Sequence, residues 1–315
     1  MRYATIRQMQ VFEAVARHMS FSRAAEELHL SQPAVSLQIK QLEGLAGLPL
    51  FEQLKRRLYL TAAGETLLGH FRAVLAAVAD AEAAMAAMRG RRAGGLRLAV
   101  VSTAKYFAPP LLSAFLAGYP GVDLSLAIAN REQVLAQLAA NEVDLAIMGR
   151  PPTDFPVQSV PFAKHPMVMI APPDHPLARR KARMADLGGE TFLVREQGSG
   201  TRILMEGLLA SHSVVPGHTI EMASNESIKQ AVMAGMGVSL LSRHTIGLEL
   251  SVGRLAVLDL QGLPIQRDWY VVTREGKQLL PVAAAFVRFL QEEGAARIEA
   301  ATRAGPPSRR RSRHK

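Results

Sequence analysis

The sequence contains no cysteine. A disulfide scaffold, a cysteine zinc ribbon and a thiol nucleophile are therefore excluded. Aromatic residues make up only 5% of the 315 residues, with Trp269 as the single tryptophan, which argues against a stacking platform for single-stranded nucleic acid. No run of 18 apolar residues is present, and the N-terminus lacks the apolar core of a secretory signal. We therefore expect a cytoplasmic protein.

Acidic residues are fewer than basic ones, and the formal net charge is +10. The excess is uneven, because residues 303–315 contain six Lys or Arg and no Asp or Glu. The rest of the chain is only mildly basic, which permits an anionic partner without proving one. Residues 294–315 are polar, basic and proline-containing, and this composition predicts a disordered basic tail.

A long alanine-rich run without proline separates two differently patterned parts of the chain. Its apolar residues recur at a 3.5-residue period, which is typical of a coiled-coil seam: Leu67, Phe71, Val74, Val78, Ala81, Met85 and Met88. The pattern fits either a helix packed on its own domain or a dimerisation helix. The glycine pair that follows favours the second interpretation. We therefore predict a linker helix over 62–90 and a hinge over 91–95.

The C-terminal part alternates short apolar strands with amphipathic helices, which predicts an α/β domain with a parallel sheet over residues 96–293. The predicted strands are 96–101, 122–129, 143–148, 157–163, 166–171, 191–194, 218–222, 238–241 and 269–273, and the helices are 106–118, 131–140, 200–211, 224–235 and 281–292. The last strand and helix are expected to return to the first sheet. This gives lobe I (about 96–161 and 267–293), lobe II (about 162–266) and a ligand cleft between them.

The N-terminal part, residues 1–61, contains a helix-turn-helix pattern. A short helix over 22–28 is followed by the turn His29-Leu30, and Ser31 is a favourable N-cap for a second helix that reaches Leu45. Pro33 is tolerated in the first turn, where its missing N–H would have no partner. Val35, Ile39 and Leu42 recur at spacings of four and three residues, so we expect them to pack inward.

The outward face of this second helix carries residues that suit a DNA major groove. Gln32 can hydrogen-bond a base edge, while Pro33 and Leu37 can contact a thymine methyl group. Leu50-Phe51 begins a hairpin-like wing with a basic tip, which suits the minor groove or the phosphate backbone. The predicted DNA contacts are Ser31, Gln32, Pro33, Ser36, Leu37, Lys40, Arg56 and Arg57. A small helical packing domain with a solvated basic loop is the alternative.

Several motifs resemble the LysR-type transcriptional regulators: Phe12-Glu13-Ala14-Val15-Ala16, Ser20-Phe21-Ser22-Arg23-Ala24-Ala25, Ser31-Gln32-Pro33-Ala34-Val35-Ser36, Ile39-Lys40-Gln41-Leu42-Glu43 and Leu60-Thr61-Ala62-Ala63-Gly64. The resemblance implies a winged helix-turn-helix, a dimerising linker helix and a two-lobe effector domain like periplasmic solute-binding proteins. It also implies a homotetramer that binds double-stranded promoter DNA and contacts RNA polymerase. The chain departs from the common pattern at Leu37 and Gln53, where the family often has arginine.

Polar and cationic residues follow the predicted strands and begin the predicted helices around the cleft. The candidate effector-binding residues are Ser102, Thr103, Lys105, Asn130, Arg131, Arg150, Gly200, Thr201, Arg202 and Asn225. Their convergence favours a small anionic metabolite, because hydroxyls, backbone N–H groups and cations meet at strand ends. Asn225 could instead serve only as a helix-capping residue, and Arg202 as a solvated surface charge.

Within the LysR type, four further segments resemble the CbbR-type regulators of RuBisCO operons: Leu50-Phe51-Glu52-Gln53-Leu54, Thr103-Ala104-Lys105-Tyr106-Phe107, Asn130-Arg131-Glu132 and the run from Asn141 to Pro152. This resemblance implies activation of Calvin-cycle carbon-fixation genes. It also implies a phosphorylated metabolite, phosphoenolpyruvate or NADPH as effector, with no bound cofactor and no metal. A LysR-type regulator of another metabolic pathway remains the nearest alternative.

Two other classes of protein fit the sequence less well. An enzyme is not indicated, because the sequence has no HExxH, CxxC, GxSxG or paired-carboxylate motif, and His165-Pro166 and His175-Pro176 resemble loop elements. A transport solute-binding protein would explain residues 96–293 but would leave residues 1–90 without a role. The expected mechanism is that effector binding changes lobe closure, and that the linker helices pass this change to the DNA-binding heads.

Overall fold

The structure, a computed structural model, describes residues 3–55, 57–88 and 94–302. The chain divides into two compact units, residues 1–91 with 139–142, and residues 92–138 with 143–315. Arg56, residues 89–90 of the predicted linker helix, residues 91–93 of the predicted hinge and residues 303–315 of the predicted tail lie outside the described residues. Within the described ranges, no helix combines the length and hydropathy that crossing a membrane requires.

The first unit is a winged helix-turn-helix followed by one long helix, as the sequence predicts. Its elements are α1 (Ile6–His18), α2 (Phe21–Glu27), α3 (Gln32–Ala46), β1 (Phe51–Leu54), β2 (Arg57–Leu60) and α4 (Ala62–Met88). Val35, Ile39 and Leu42 of α3 are buried, as expected, against Phe12 of α1. Phe12 also contacts Phe51 of the wing, with ring centroids 5.3 Å apart. One aromatic-rich core therefore joins the helices to the wing.

Helix α4 carries the predicted seam along a partly exposed face. Phe71 is buried in the N-terminal core, whereas Val74 and Met85 are 40% and 49% exposed. The side chain of Met88 lies outside the described residues. An exposed apolar stripe on a helix is stabilised when another apolar surface covers it. The proposed dimerisation role of α4 stays a prediction.

The second unit is built on a seven-stranded sheet and a separate parallel pair of strands. Its strands are β3 (Gly95–Val101), β4 (Asp123–Ala129), β5 (Leu145–Met148), β6 (Val157–Ala171), β7 (Thr191–Arg195), β8 (His218–Met222), β9 (Ser239–Ser242), β10 (Ala256–Val257) and β11 (Ile265–Arg274). Its helices are α5 (Ala108–Gly118), α6 (Arg131–Ala139), α7 (Gly200–Ser211), α8 (Asn225–Met233), α9 (Gly247–Ser251), α10 (Pro281–Phe289) and α11 (Ala295–Thr302).

The strand order of the large sheet is β10-β6-β11-β5-β3-β4, and β9 also pairs with β6. Strand β3 runs parallel to β4 and β5, while β11 is antiparallel to both β5 and β6. The chain after residue 265 thus returns to the first sheet, as the sequence predicts. Separate hydrophobic cores lie around Phe107, Trp269 and Phe286 in lobe I, and around Met169, Phe192 and Leu240 in lobe II. The predicted two-lobe α/β architecture is confirmed.

Two sequence predictions about this unit are wrong in part. Strand β6 is one continuous strand from Val157 to Ala171, so His165-Pro166 lies in the middle of a strand and not in a loop. The predicted strands 157–163 and 166–171 are parts of this one strand, and its register with the partner strand shifts between Trp269 and Tyr270, opposite Ala163 and Pro161.

The second error concerns the predicted disordered tail. Residues 290–294 form a π-helical turn and α11 continues to Thr302. Leu290 and Ile298 are buried in the lobe I core. These two apolar residues lie eight positions apart, which places them on one helical face, and the polar composition around them concealed this spacing.

A buried ion cluster supports the sheet of lobe I. The carboxylate of Asp144, just before β5, accepts hydrogen bonds from the backbone and guanidinium of Arg97 at 2.8 and 2.7 Å. Lys277 lies 2.9 Å from the same carboxylate. Burial alone would raise the pKa of Asp144, but the hydrogen bonds from Arg97 and Lys277 outweigh it and hold this pKa below its ordinary value.

We expect Asp144→Asn to lower the free energy of unfolding of the full chain by about 3 kcal/mol at pH 7, because it leaves buried cations without their partner. A carboxyl whose pKa is lower in the folded protein than in the unfolded chain stabilises the fold at pH values above its unfolded pKa. The difference between the variant and the wild type should therefore shrink as the pH falls below about 4. Urea unfolding monitored by circular dichroism measures both effects.

Asp268→Asn is the matched control, because Asp268 pairs with Lys164, whose side chain is 79% exposed. Loss of such a surface pair should change stability by less than about 0.5 kcal/mol. Equal effects of the two substitutions would contradict a structural role for the Asp144 cluster.

Candidate nucleic-acid interface and ligand cavity

Helix α3 presents a mixed polar and apolar face to solvent. Ser31 caps the helix by accepting a hydrogen bond from the Ala34 N–H, and Gln32, Pro33, Leu37 and Lys40 are exposed. Leu37 is 55% exposed on this face. The face therefore offers an amide, a cation and apolar contacts within two helical turns, the combination that reads base edges and thymine methyl groups.

Gln32 and Ser36 are joined on this face, because the Gln32 amide donates to the Ser36 hydroxyl at 3.0 Å. The two residues lie one turn apart, so the bond holds the Gln32 side chain along the helix surface. Its amide oxygen is left to accept from a base. Both predicted contact residues thus belong to one pre-ordered polar pair.

The wing is fixed to α3 by a single carboxylate. Glu43 accepts from the backbone N–H groups of Leu50 and Phe51 at 2.8 and 3.4 Å. Arg57 is exposed at the start of β2, next to the wing tip, where Lys55 has a positive φ of 48°. Arg56, the other predicted wing contact, lies outside the described residues. The recognition helix and the base of the wing are therefore held in a fixed relation.

A small cavity lies between the lobes of the second unit, at the carboxyl ends of β3 and β5. It has a volume of about 50 Å³ and is lined by Val101, Ser102, Thr103, Arg131, Met148, Gly149, Arg150, His165, Met167, Ser199, Gly200, Thr201 and Arg267. A more open depression of about 670 Å³ adjoins it along α7 and shares four lining residues: Arg131, Arg150, Gly200 and Arg267. The cavity and depression therefore form one continuous site with an enclosed polar end.

Three guanidinium groups converge on the enclosed end: Arg131, Arg150 and Arg267. Burial is the main cause that lowers the pKa of Arg131 and of Arg267, and the positive charge of Arg150 lowers both further. Within the described part of the chain, no carboxylate forms an ion pair with any of the three. Arg131 instead donates to the backbone oxygens of Arg150 and Pro151. The negative charge of Asp154 partly opposes the lowering of the Arg131 pKa, but Asp154 does not line the cavity. The cluster therefore keeps an excess of positive charge that suits an anion.

The start of α7 adds backbone donors to the same cavity. Gly200 and Thr201 line it, and the N-cap residue Ser199 makes no side-chain capping hydrogen bond. The first N–H groups of a helix have no partner inside the helix, so they can bind an anion. A Cβ atom on Gly200 would lie 3.2 Å from Arg131, so glycine allows the close approach of helix and guanidinium.

Six of the ten predicted effector-binding residues line this cavity: Ser102, Thr103, Arg131, Arg150, Gly200 and Thr201. The other four are engaged elsewhere. Lys105 pairs with Glu226 at 2.6 Å, and the Asn225 side-chain oxygen accepts from Arg195. Asn130 accepts from the Gln133 N–H at 3.0 Å.

Arg202 is the clearest departure from the predicted set. Its guanidinium bonds Glu206 at 2.7 Å and also Glu221, both on lobe II. The sequence placed Arg202 at the cleft because it follows a glycine-rich turn. The helical turn instead directs the side chain away from the cavity, towards its own carboxylates.

Sequence reasoning missed Arg267 and His165. Arg267 stands in β11 between two other polar residues, Gln266 and Asp268, so nothing in the local sequence distinguishes it as a cavity residue. His165 had been interpreted as a loop residue because proline follows it. The two are directly opposite each other in the β6–β11 ladder.

Several polar contacts join the lobes beside the cavity. Glu226 of α8 accepts from Lys105 and from the Tyr106 hydroxyl, both of which belong to lobe I. Burial would raise the pKa of Glu226, but these two hydrogen bonds lower it to about 2. The buried Arg195 of lobe II donates to Ser102 at 3.1 Å. The backbone of Glu132 donates to Gly198 across the same boundary.

No group of three or more His, Asp or Glu residues within the described residues is arranged to hold a metal ion.

Sequence comparison assigns both units to one family of models. The model described as "Bacterial regulatory helix-turn-helix protein, lysR family" matches residues 6–65, and "LysR substrate binding domain" matches residues 89–295. The HTH-type transcriptional regulator CbbR of Rhodospirillum rubrum is 67% identical over 286 residues, which cover 91% of this chain and 95% of the relative. The RuBisCO operon transcriptional regulator of Allochromatium vinosum is 47% identical and covers 93% and 97%.

A solved structure matches the second unit. The regulatory domain of CcmR from Synechocystis PCC6803, in complex with 2-PG, is 43% identical and superposes with a TM-score of 0.61. The match covers 62% of this chain and 95% of that structure.

The arginine cluster predicts that Arg267→Met loses the response to a divalent anion. In the absence of such an anion, the variant should have a melting temperature equal to or above that of the wild type, because one repelling charge is gone. Relative to sodium chloride at equal ionic strength, sodium sulfate should raise the melting temperature of the wild type more than that of the variant, because the general stabilisation by sulfate is common to both and only the wild type adds site binding. Thermal-shift measurements on the full chain provide the test.

Arg202→Met is the matched control, since it removes an arginine of the same unit whose guanidinium is bonded to Glu206 and Glu221. It should keep the sulfate response. If Arg267→Met responds to sulfate as strongly as the control, the three arginines do not share an anion site.

Proposed function

The chain belongs to the LysR family of bacterial regulatory proteins, and we propose that it activates transcription of a RuBisCO operon in response to a small phosphorylated metabolite. The family assignment accounts for both units, because the two family models together match residues 6–65 and 89–295. The pathway assignment draws on relatives named as CbbR and RuBisCO operon regulators, which match over nine-tenths of the chain. The protein would act in the cytoplasm as a dimer or tetramer on promoter DNA with RNA polymerase.

The observation that carries the effector half of the proposal is the unneutralised cluster of Arg131, Arg150 and Arg267. Three cations held together without carboxylates destabilise the empty site, so an arrangement of this kind is expected to be compensated by a bound anion. The domain of CcmR that is 43% identical to this chain was solved in complex with 2-PG. A small anion in the equivalent cleft is therefore consistent with both the charges and the comparison.

Each group of the cavity has a distinct role in this proposal. The guanidiniums supply charge and paired N–H donors that match the oxygens of phosphate or carboxylate. Thr103, which is 7% exposed, and Ser102 supply hydroxyls at the end of β3. The uncapped first turn of α7 supplies backbone N–H groups from the opposite lobe. A ligand held by both lobes stabilises their closed arrangement, because it loses half its contacts when they separate.

The size of the site bears on which metabolite binds. The enclosed end of about 50 Å³ accommodates a small anionic group such as phosphate, and larger parts of a ligand would extend along α7. Phosphoenolpyruvate would place a phosphate and a carboxylate among the three arginines. NADPH would place one phosphate group there and the remainder in the open depression. For its size, a small phosphorylated acid such as phosphoenolpyruvate pairs more anionic groups with the three arginines than NADPH does. We therefore favour that class of effector.

The signal would pass from the cavity to the DNA through the lobes and α4. Effector binding changes the equilibrium between lobe arrangements, and the contacts of Glu226 and Arg195 across the boundary are the ones that must rearrange. The dimerised linker helices would convert this change into a new spacing of the DNA-reading heads. A change in DNA bend and in polymerase contact would follow.

The direct test uses the full chain and a promoter fragment from upstream of a RuBisCO operon. We expect 2-PG, phosphoenolpyruvate or NADPH to change the footprint and the bend angle measured by gel mobility of circularly permuted fragments. Arg150→Met should bind the promoter normally but lose this response, whereas Arg202→Met should keep it. Specific promoter binding with no effect of any of the three compounds would contradict the proposed effector class.

The pre-ordered pair on α3 predicts that Gln32→Ala weakens specific binding by at least about tenfold, since a good base contact provides about 1–3 kcal/mol of discrimination. Nonspecific binding should change little. Fluorescence anisotropy with operator and scrambled duplexes at several salt concentrations measures both affinities.

Lys40→Ala is the control for the same helix. If Lys40 contacts a phosphate, its loss should weaken binding to both duplexes alike. The slope of log affinity against log salt concentration should fall by about one. Equal loss on both duplexes for Gln32→Ala would exclude base reading by Gln32.

A further inference from the structure

One buried imidazole beside the arginine cluster has no hydrogen-bond partner. His165 is 6% exposed, and both its ring nitrogens, Nδ1 and Nε2, are buried without a partner. A buried polar group without a partner is destabilising, and such groups are rare in folded proteins. The ring lines the same cavity as Arg131, Arg150 and Arg267. An unsatisfied polar group in a ligand cavity points to a group that the ligand satisfies.

The surrounding structure holds this ring in place by stacking and without hydrogen bonds. Its centroid lies 3.8 Å from the ring of Trp269, with the two planes inclined by 17°. A Cβ atom on Gly149 would lie only 2.7 Å from Nδ1, so glycine is needed for the ring to fit. The imidazole is therefore fixed against the end of β5, where the cavity begins.

A second histidine nearby shows the contrast. His244 stacks at 6.3 Å from His165, but its Nδ1 accepts the Trp269 indole N–H at 3.1 Å and it does not line the cavity. The same tryptophan thus satisfies one histidine through its nitrogen and supports the other only through its ring face. His244 has a structural partner within the protein, whereas His165 has none.

We propose that His165 contacts the effector directly and donates a hydrogen bond to its anionic group as a neutral imidazole. The proposal rests on the proposed function, because it concerns the same cavity. Arg267 is the cross-strand neighbour of His165, so an oxygen held by the guanidinium lies within reach of the imidazole. The ligand class is a small anion with several oxygens, such as a phosphomonoester.

The charges that face His165 keep its ring neutral. Burial, His244 and Arg267 all lower the pKa of His165 well below its ordinary value of 6.5. Arg150 of the loop after β5 and Arg131 of α6 add positive charge around the same cavity, and no carboxylate within the described residues lines it. A neutral imidazole carries one N–H donor and one acceptor nitrogen. It therefore adds a directional hydrogen bond without a further cation.

The test uses two variants of the full chain, His165→Phe and His165→Gln. Phenylalanine keeps the stacking on Trp269 and removes both nitrogens, while glutamine restores an N–H donor without an aromatic ring. For His165→Phe we expect a melting temperature at or above that of the wild type, because an unsatisfied buried polar group is gone. Its affinity for sulfate and for 2-PG should fall by at least about tenfold. His165→Gln should show an intermediate affinity.

The control variant is His244→Leu, which leaves the Trp269 indole N–H without its acceptor. It should lower the melting temperature and leave the affinities unchanged, the opposite pattern from His165→Phe. Affinities are measured by isothermal titration calorimetry at pH 7, and melting temperatures are measured without ligand. If His165→Phe destabilises the fold too strongly for titration, the affinity of His165→Gln relative to the wild type and to His165→Asn decides.

The results separate this inference from the proposed function. Wild-type affinity in His165→Phe, or equal affinities of His165→Gln and His165→Asn, whose shorter side chain withdraws the donor, would overturn the role of His165 while leaving the arginine site intact. An affinity of His165→Gln as low as that of His165→Phe would also overturn it, since a restored donor would have no effect. Failure of the wild type to bind either sulfate or 2-PG would overturn the proposed effector cavity and this inference with it.

Discussion

The antiparallel ladder between β6 and β11 is the constraint on which the second unit depends. It pairs Val157 through Met167 with Ile265 through Arg274 and extends from lobe I into lobe II. The same ladder supplies His165, Arg267 and the buried Trp269, so the strands that join the lobes also carry part of the cavity wall. A ligand that binds there contacts the connection between the lobes as well as their facing surfaces. Some residues that line the site therefore belong to the two strands that connect the lobes.

The cavity is costly in the absence of an anion. Arg131, Arg150 and Arg267 repel one another, and His165 lacks a hydrogen-bond partner. The structure offsets this cost elsewhere, through the lobe I core and through the fully compensated Asp144 cluster, where one buried carboxylate is bonded to two cations. The two ion clusters differ in whether their charges are paired within the chain, and this difference separates a structural cluster from a ligand site. In the Asp144 cluster, two cations share a carboxylate of the chain, whereas for the three arginines of the cavity we propose that the negative partner is a bound ligand.

Much of the fold could be predicted from the sequence because its patterns are local. The cap at Ser31, the spacing of Val35, Ile39 and Leu42, and the alternation of apolar strands with helices each depend on neighbours only a few residues away. The cavity was predicted in part, since residues that follow parallel strands converge by topology. Arg267 and His165 could not be placed in this way, because their proximity depends on the pairing of two strands that are about a hundred residues apart. Arg202 was misplaced for a related reason, since its direction depends on where Glu206 and Glu221 lie.

The carboxylate of Glu43 has a consequence for how the regulator can acquire a new target. Because Glu43 of α3 accepts hydrogen bonds from the backbone of Leu50 and Phe51, the position of the wing relative to α3 is fixed. In the proposed DNA complex, the distance between the base contact of α3 and the backbone or minor-groove contact of the wing would be set by the protein. Substitutions at Gln32, Leu37 or Arg57 can change the side chains presented to the DNA without changing the distance between α3 and the wing. Target sites can therefore diverge in base sequence between related regulators while the spacing of their contacts stays the same.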